Sequence, residues 1–379
     1  MNILYLMTEP FGIGGVQSDL LVLSAGLRRH GHRVLVATTQ GVLLPELLAR
    51  GAEFFDLDFR FRDPRLLARA AGRLRALVSE QAVDLVAPQS LRSSIAAYAA
   101  LRLLPSPYRS RVTGRRVPIV TTIHNIHNPR NFRWAGRILR RCSDHVIFES
   151  HYERNRVLAS GLPPGRSEVI HSGIDTERLA NPSNPAEFAA RYGIDGQKHL
   201  VYGIVARLSE EKEHGLLVRA FAKVSAVHPH ARLLIIGDGP LLSAIEEQIR
   251  TLGLQDKVVL TGMQRDIASH LALLDVFVLA SSRESFPLSA REAMAASRAV
   301  IAPRIGGCPE VVDENVTGLL FESGNADDLA YKMLRLAQPE ERQMMGRAGR
   351  ERAVRLFSCD AWVDGDERVY RRWAEGQTA

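Results

Sequence analysis

The chain has 379 residues and a mass of 42.0 kDa, 46% of them hydrophobic and 24% charged, enough for two domains with sizeable cores and too much for one. Its three cysteines, Cys142, Cys308 and Cys359, are odd in number and far apart, which excludes a disulfide framework or a zinc pattern and fits a reducing compartment. The 49 basic and 42 acidic residues leave a net charge of +7, concentrated in residues 1–180, which hold 25 basic and 15 acidic side chains against 24 and 27 in the rest.

In chain order, NILYLM (2–7) is the first predicted strand. The run lacks a basic leader and meets Glu9 and Pro10, unlike a secretory signal, and no stretch approaches the roughly 18 apolar residues of a spanning helix. A cytoplasmic protein is expected. FGIGGVQ (11–17) then opens a helical pattern that ends at Gly31. Glycines between a strand and a helix let backbone N–H groups approach an anion, although a glycine turn without a ligand has the same appearance. A dinucleotide fingerprint is absent: Gln17 stands where a third glycine belongs, and no acidic residue closes the strand at 33–38.

Further strands are predicted at 53–57, 84–88, 118–123 and 145–150, with amphipathic runs between them. That alternation implies a parallel, doubly wound sheet. Between Asp84 and Asp144 there are 11 arginines and no carboxylate. Such a face suits nucleic acid, anionic lipid or a phosphorylated substrate, while the presence of only five lysines in the whole chain makes arginine-rich codon usage an equal explanation. TTIHNIHN (121–128) brings His124 and His127 to a strand end, where imidazole can bond a polar substrate or move protons near neutral pH. A metal pair fits the spacing, but no third ligand lies nearby in sequence.

Residues 161–198 carry the turn signals GLPPG, HSGID, NPSNP and YGIDG and form the best linker candidate. Strands are predicted again at 200–206, 232–237, 257–262, 275–281, 299–303 and 317–321, and from about Ala326 the pattern is helical. The expected architecture is two Rossmann-like domains with ligands beyond the carboxyl ends of the strands. GIVARLSEEKEH (203–214) places Arg207 and Lys212 there, a pair able to clamp a diphosphate or simply to flank a helix start capped by Ser209. IGDGP (236–240) puts Gly239 in a tight turn before Pro240. SSRESFPLSAREAMAA (281–296) sets Glu284 and Glu292 eight residues apart around Phe286, Pro287 and Leu288. Each glutamate also fits an S-x-x-E capping box, from Ser281 and Ser289, but a helix begun at Ser281 would carry Pro287 in its interior. The pairs Asp56–Asp58 and Asp364–Asp366 have the form of a metal-binding Asp-x-Asp, yet an edge segment and an amphipathic helix favour coincidence.

With GIGGVQ, TIHN, SGID (172–175), ARLSEEK and GDGP in that order, then E-x7-E and EAMAASRAVIAPRIGGCPEVVDENVTGLLF (292–321), the chain resembles the retaining nucleotide-sugar glycosyltransferases of family 4 along nearly its whole length. The resemblance implies the GT-B fold: an α/β chain of two Rossmann-like doubly wound domains facing across a cleft. The acceptor-binding domain would span 1–175 and the nucleotide-sugar-binding domain 176–358, with a C-terminal helix at about 359–379 packed back on the first. It implies that Glu284 contacts sugar hydroxyls and Glu292 the ribose, with Phe286, Pro287 and Leu288 facing the diphosphate between them. Arg207 and Lys212 would neutralise that diphosphate, with no metal or other cofactor. Gly14 and Gly15 would approach a phosphate, and His124 the transferred sugar. Gly239, Met263 and Gln264 would line the donor site, the last two near the nucleobase. Some positions depart from the family's commonest pattern: Ser285 and Pro287 replace frequent glycines, Ser297 and Ala299 replace Gly and Pro, and Glu213 follows Lys212 where glycine is common.

The function so implied is transfer of a hexose-type sugar, from a UDP-sugar ahead of GDP-mannose, to a hydroxyl acceptor. A lipid-linked glycan of polysaccharide or cell-envelope assembly, met at the anionic inner face of a membrane, suits the basic first half. No helix-turn-helix or zinc module supports a nucleic-acid partner. A nucleotide-sugar epimerase on the same scaffold, and a non-catalytic nucleotide-sugar or membrane-binding protein, are the alternatives.

Overall fold

Short runs of valine, isoleucine and leucine bounded by turn signals and buried on both faces suit the strands of covered parallel sheets, and among the described residues the strands pair in three sets, all parallel. The computed structural model describes residues 1–12, 14–60, 64–103, 109, 114, 116–124 and 132–376. They form two units, Met1–Gly173 with Cys359–Ala379, and Ile174–Ser358.

In the first unit β1 (Asn2–Leu6), β2 (Arg33–Thr38), β3 (Glu53–Asp56) and β4 (Leu85–Pro88) pair in the order β3-β2-β1-β4. β5 (Val120–Ile123), β6 (His145–Phe148) and β7 (Ser167–Val169) follow in the order β5-β6-β7. A single parallel bridge, Val86 to Ile119, joins the two sets. β7 lies inside the stretch 161–198 expected as a linker; three residues are too few to show a period. The helices Thr176–Ala180 and Pro185–Arg191 occupy the rest of that stretch and belong to the second unit.

The second unit has β8 (Leu200–Val205), β9 (Ala231–Ile236), β10 (Val258–Gly262), β11 (Val276–Val278), β12 (Ala299–Pro303) and β13 (Gly318–Phe321), all parallel, in the order β10-β9-β8-β11-β12-β13. This is the Rossmann order, reversing direction between β8 and β11. One apolar cluster covers the face carrying Tyr202, Phe221 and Phe321. A second covers the face of Phe277, Met294 and Phe357. Among the described residues no helix is long and apolar enough to cross a membrane.

The chain's last helix, Cys359–Ala374, returns to the first unit. Its Trp362, Val363, Val369 and Tyr370 share a core with Ile3, Tyr5, Leu23 and Leu27. It packs on the helix Gly15–Arg29, where a Cβ at Gly26 would lie 2.3 Å from Val363 Cγ2. Overpacking of this kind costs about 1–3 kcal/mol, whereas alanine within a free helix is about 1 kcal/mol better than glycine. Gly26→Ala is therefore expected to destabilise the first unit in urea unfolding, and to become neutral or stabilising in a Val363→Ala background. Equal costs in the two backgrounds would show that the two helices do not meet at this point.

Candidate active site

Where a doubly wound sheet reverses its strand order, neighbouring connections run to opposite faces and leave a crevice at the carboxyl ends. In the second unit that position is flanked by the loops after β8 and β11, and both carry charge. Arg207, just beyond β8, is exposed, and no hydrogen bond or ion pair engages its guanidinium among the described residues. A single 3-10 turn, Glu210–Lys212, follows, closed by Glu213 at φ 51° and ψ 39°. This left-handed conformation favours glycine, and a side chain adopts it at a cost of about 1 kcal/mol. Lys212 Nζ lies 2.7 Å from Glu284 Oε1, 72 residues away in sequence. Ser281 Oγ donates to the same oxygen at 2.7 Å.

That geometry decides between the readings of the two serines. Ser281 restrains Glu284 and caps nothing. The helix begins at Leu288 with Pro287 as its N-cap residue, and Ser289 lies within it. Neither capping box forms. The Glu284 loop rests on Gly306 and Gly307, where a Cβ would stand 1.7 Å from Glu284 O and 1.9 Å from Ser285 O respectively. The Gly307 N–H donates to Glu284 O at 3.2 Å. Any side chain at these glycines would push the carboxylate away from Lys212.

Glu292 lies one turn into the helix Leu288–Ala295 and is partly buried. Among the described residues its carboxyl has no hydrogen bond or ion pair. Burial pushes it up to about 7, against the pull of Arg291 and Arg178. The Phe286 ring is a core group, edge-on to Phe357 with centroids 5.6 Å apart and beneath the Arg291 guanidinium at 4.3 Å, so it can offer a ligand only its backbone. Pro287 has no N–H to offer, and Leu288 is exposed. Arg207, Gly237, Asp238, Gly239 and Met263 line a cavity of about 560 Å³ at the ends of β8, β9 and β10. Met263 is 80% exposed, while Gln264 folds back, its Nε2 donating to Thr261 O at 2.6 Å. A free cation, a restrained carboxylate, a second carboxylate with unused acceptors and an apolar wall thus share one end of one sheet.

In the first unit, Gly14 is extended and Gly15 opens the helix, with nothing within 4 Å of where its Cβ would be. One turn on, Asp19 Oδ2 lies 3.7 Å from His124 Nδ1, just beyond β5. Glu149 Oε1 is 2.7 Å from the same nitrogen, and Gln89 Oε1 is 2.9 Å from Nε2. Burial alone would lower the imidazolium's pKa, but Glu149, by charge and hydrogen bond, with Asp19 and Asp366, raises it to about 8. The side chains of Asp19, His124 and Glu149 could reach one metal ion. However, two ligands about 2.1 Å from a tetrahedral ion stand about 3.4 Å apart, and Nδ1 and Oε1 are closer than that. The pair fits a proton and not a metal. His127 lies outside the described residues. Of the Asp-x-Asp pairs, Asp58 is bound to Arg60 at 2.9 Å, and Asp364 is exposed while Asp366 is fully buried.

The sequence patterns match two family descriptions, "Glycosyltransferase Family 4" over residues 13–178 and "Glycosyl transferases group 1" over residues 186–352. N-acetyl-alpha-D-glucosaminyl L-malate synthase of Bacillus anthracis is 30% identical over 267 residues, 69% of each chain. A GDP-mannose-dependent alpha-(1-6)-phosphatidylinositol monomannoside mannosyltransferase of Mycobacterium tuberculosis is 30% identical over 299 residues, 74% of this chain and 73% of that one. Among solved structures, a glycosyltransferase of Rickettsia africae superposes with a TM-score of 0.85 at 21% identity, covering 98% of both chains. HepE of Anabaena, solved with UDP, gives 0.82 at 22% identity over 97% of this chain and 99% of its own. The parallel Rossmann sheets, the order of the motifs and these likenesses agree, and the chain is a glycosyltransferase of family 4 with the GT-B fold.

Proposed function

We propose that this glycosyltransferase moves a hexose-type sugar from a nucleotide sugar to a hydroxyl acceptor, with retention of anomeric configuration and without a metal ion. The observation that carries the reading is the Lys212–Glu284 pair beyond β8 and β11, with Arg207 and Glu292 still unspent. Arg207 and Lys212 supply the positive charge a departing diphosphate needs, work a metal would otherwise do. Glu284, restrained by Lys212 and Ser281, takes sugar hydroxyls, and Glu292 takes the ribose diol with its unused acceptors. The backbone from Phe286 to Leu288 meets the diphosphate. Gly239, Met263 and Gln264 hold the nucleobase side, with Met263 as the apolar cover. We assign His124 to the transferred sugar, and Gly14 and Gly15 to a phosphate. Attack from the departing side, with the leaving phosphate taking the acceptor's proton, gives retention.

A UDP-sugar is the first donor in this proposal and GDP-mannose the second, the latter supported by the mycobacterial relatives' names. The acceptor is a lipid-linked glycan of cell-envelope assembly, met from the cytoplasmic side. The helix Phe132–Cys142 supports this, presenting Arg133, Trp134, Arg137, Arg140 and Arg141 to solvent, with Arg137 over the Trp134 ring at 5.3 Å.

Thermal unfolding with UDP, GDP or ADP, each at about 1 mM with EDTA, tests the donor site. At about 100 times its dissociation constant a ligand adds about 2.7 kcal/mol, so one base is expected to raise the melting temperature. No shift with any of the three would sink the site, and a shift only on adding Mg²⁺ would sink metal independence. Glu292 gives a second test. Its pKa of about 7 in the folded chain exceeds the ordinary 4.5, so the carboxyl costs stability increasingly as pH rises between those values, by up to about 3 kcal/mol above pH 7. Glu292→Gln should therefore stabilise the nucleotide-free protein at pH 8 by about 1–3 kcal/mol, lose that gain near pH 4.5, and weaken the nucleotide-induced shift. For the membrane, liposomes rich in anionic lipid should sediment the protein at low salt and release it at high salt; failure to sediment it would dismiss a membrane-bound acceptor.

A further inference from the structure

His124 is faced by acceptors and charge from four elements. Gln89 follows β4 and Glu149 follows β6, while Asp19 comes from the helix Gly15–Arg29 and Asp366 from the helix Cys359–Ala374. The Gln89 amide is oriented by its own Nε2, which donates to Ala87 O at 3.1 Å. The Oε1 at 2.9 Å from His124 Nε2 is then an acceptor, and Nε2 must carry a proton. At the other nitrogen the acceptor is the Glu149 carboxylate at 2.7 Å, and the Glu149 main chain is pinned by His171 Nδ1, which donates to its carbonyl at 2.8 Å. Two ring nitrogens that each face an acceptor need two protons. Asp19 stands 3.7 Å off. Behind lies Asp366, fully buried, its Oδ2 accepting from the Tyr370 hydroxyl at 3.4 Å, with the Tyr5 hydroxyl beyond.

We propose that Glu149 and Gln89 are positioning residues that hold His124 doubly protonated, so that it acts on the transferred sugar as a fixed cation and hydrogen-bond donor and never as a base. The proposal rests on the assignment of His124 to that sugar. An imidazolium has no lone pair to take a proton, so the acceptor's proton must leave by another route, and the departing phosphate offers one. What the imidazolium gives is charge and a directed N–H. Gln89 Oε1 occupies the point on Nε2 where a sugar hydroxyl oxygen would accept the same bond, and it keeps that proton engaged when no sugar is bound. Glu149, with Asp19 and Asp366, outweighs the burial that opposes the cation, which persists at neutral pH and is lost as pH rises through about 8. Without the Glu149 charge burial has the larger share, and the midpoint drops toward or below the ordinary 6.5.

The test is nitrogen-15 spectroscopy of labelled histidine rings, with the His124 signals assigned by their loss in His124→Gln. In the unaltered protein this ring should show two protonated nitrogens at pH 7 and titrate near pH 8. In Glu149→Gln the midpoint should fall by about 1.5 pH units or more. Transfer from the nucleotide sugar whose base gives the melting shift should follow: kcat falls on the alkaline side near pH 8, near or below 6.5 in Glu149→Gln, with KM for the donor within about twofold, and the ring and kcat midpoints both return toward pH 8 in Glu149→Asp. A ring with one proton at pH 7 in the unaltered protein overturns the proposal, whether or not the variant folds. A Glu149→Gln midpoint that stays near pH 8 overturns the role of Glu149. A ring titration that moves while the kcat profile does not overturns the action on the sugar, leaving the nucleotide site of the second unit untouched.

Discussion

A parallel strand cannot be reached by a tight turn. Each crossover must travel back along a face of the sheet before the next strand begins, and so every strand delivers its chain to the same end. The rest of this molecule follows from that constraint. Arg207, Gly239, Met263 and Glu284 come from the ends of β8, β9, β10 and β11, and in the first unit Gln89, His124 and Glu149 come from the ends of β4, β5 and β6. Lys212 and Glu284, 72 positions apart, meet at hydrogen-bond distance because β8 and β11 are neighbours. The sheet cores, buried to within a few per cent, make those ends rigid enough for carboxylates and cations to be aimed.

The two units handle partly buried charge differently. In the second, Lys212 and Glu284 neutralise each other, and removing either would leave the other stranded, which is the costly case for a buried pair. Glu292 has no such relief and carries the desolvation itself. In the first, one imidazolium serves several carboxyls, and Asp366 yields: burial holds its pKa at about 7 even with His124 nearby. In the second unit this leaves polar capacity unused, since among the described residues the Glu292 carboxyl has no hydrogen bond or ion pair. A ligand that brings the missing partners recovers some of what the fold gave up, as expected of a site built for binding.

Much of this was legible in the residues. Strand runs bounded by glycine or proline marked most strands of both units along the chain, while their order within the sheets came only with the fold; Arg207, Lys212, Glu284 and Glu292 fall after strands, where their motifs put them. What escaped is what has no local pattern. β7 is three residues inside a turn-rich stretch. The S-x-x-E boxes looked like caps because spacing alone cannot say whether a serine bonds a backbone N–H or the carboxylate itself; Pro287 argued against only one of them. Gly306 and Gly307 stand in plain view as GG, but the backbone they seat lies about twenty residues upstream. Glu149 and Gln89 could have been found by the rule that located His124, since both directly follow strands. Asp366 had a fainter signal, an acidic residue on the apolar side of an amphipathic helix, and only the fold shows what it faces.

The return of the last helix to the first unit has a consequence for how the protein is made. The second unit is one unbroken stretch, Ile174–Ser358, and all its strands and packing helices are available once that stretch has left the ribosome. The first unit is begun earlier but lacks Trp362, Val363, Val369 and Tyr370 of its core until the whole of the second unit has been synthesised. The part of the chain synthesised first is therefore the part completed last. During that interval the surface around Tyr5, Leu23 and Leu27 stays uncovered, and exposed apolar surface of this kind makes a nascent chain prone to aggregate; a chain that stopped at Ser358 would join a finished second unit to an unfinished first.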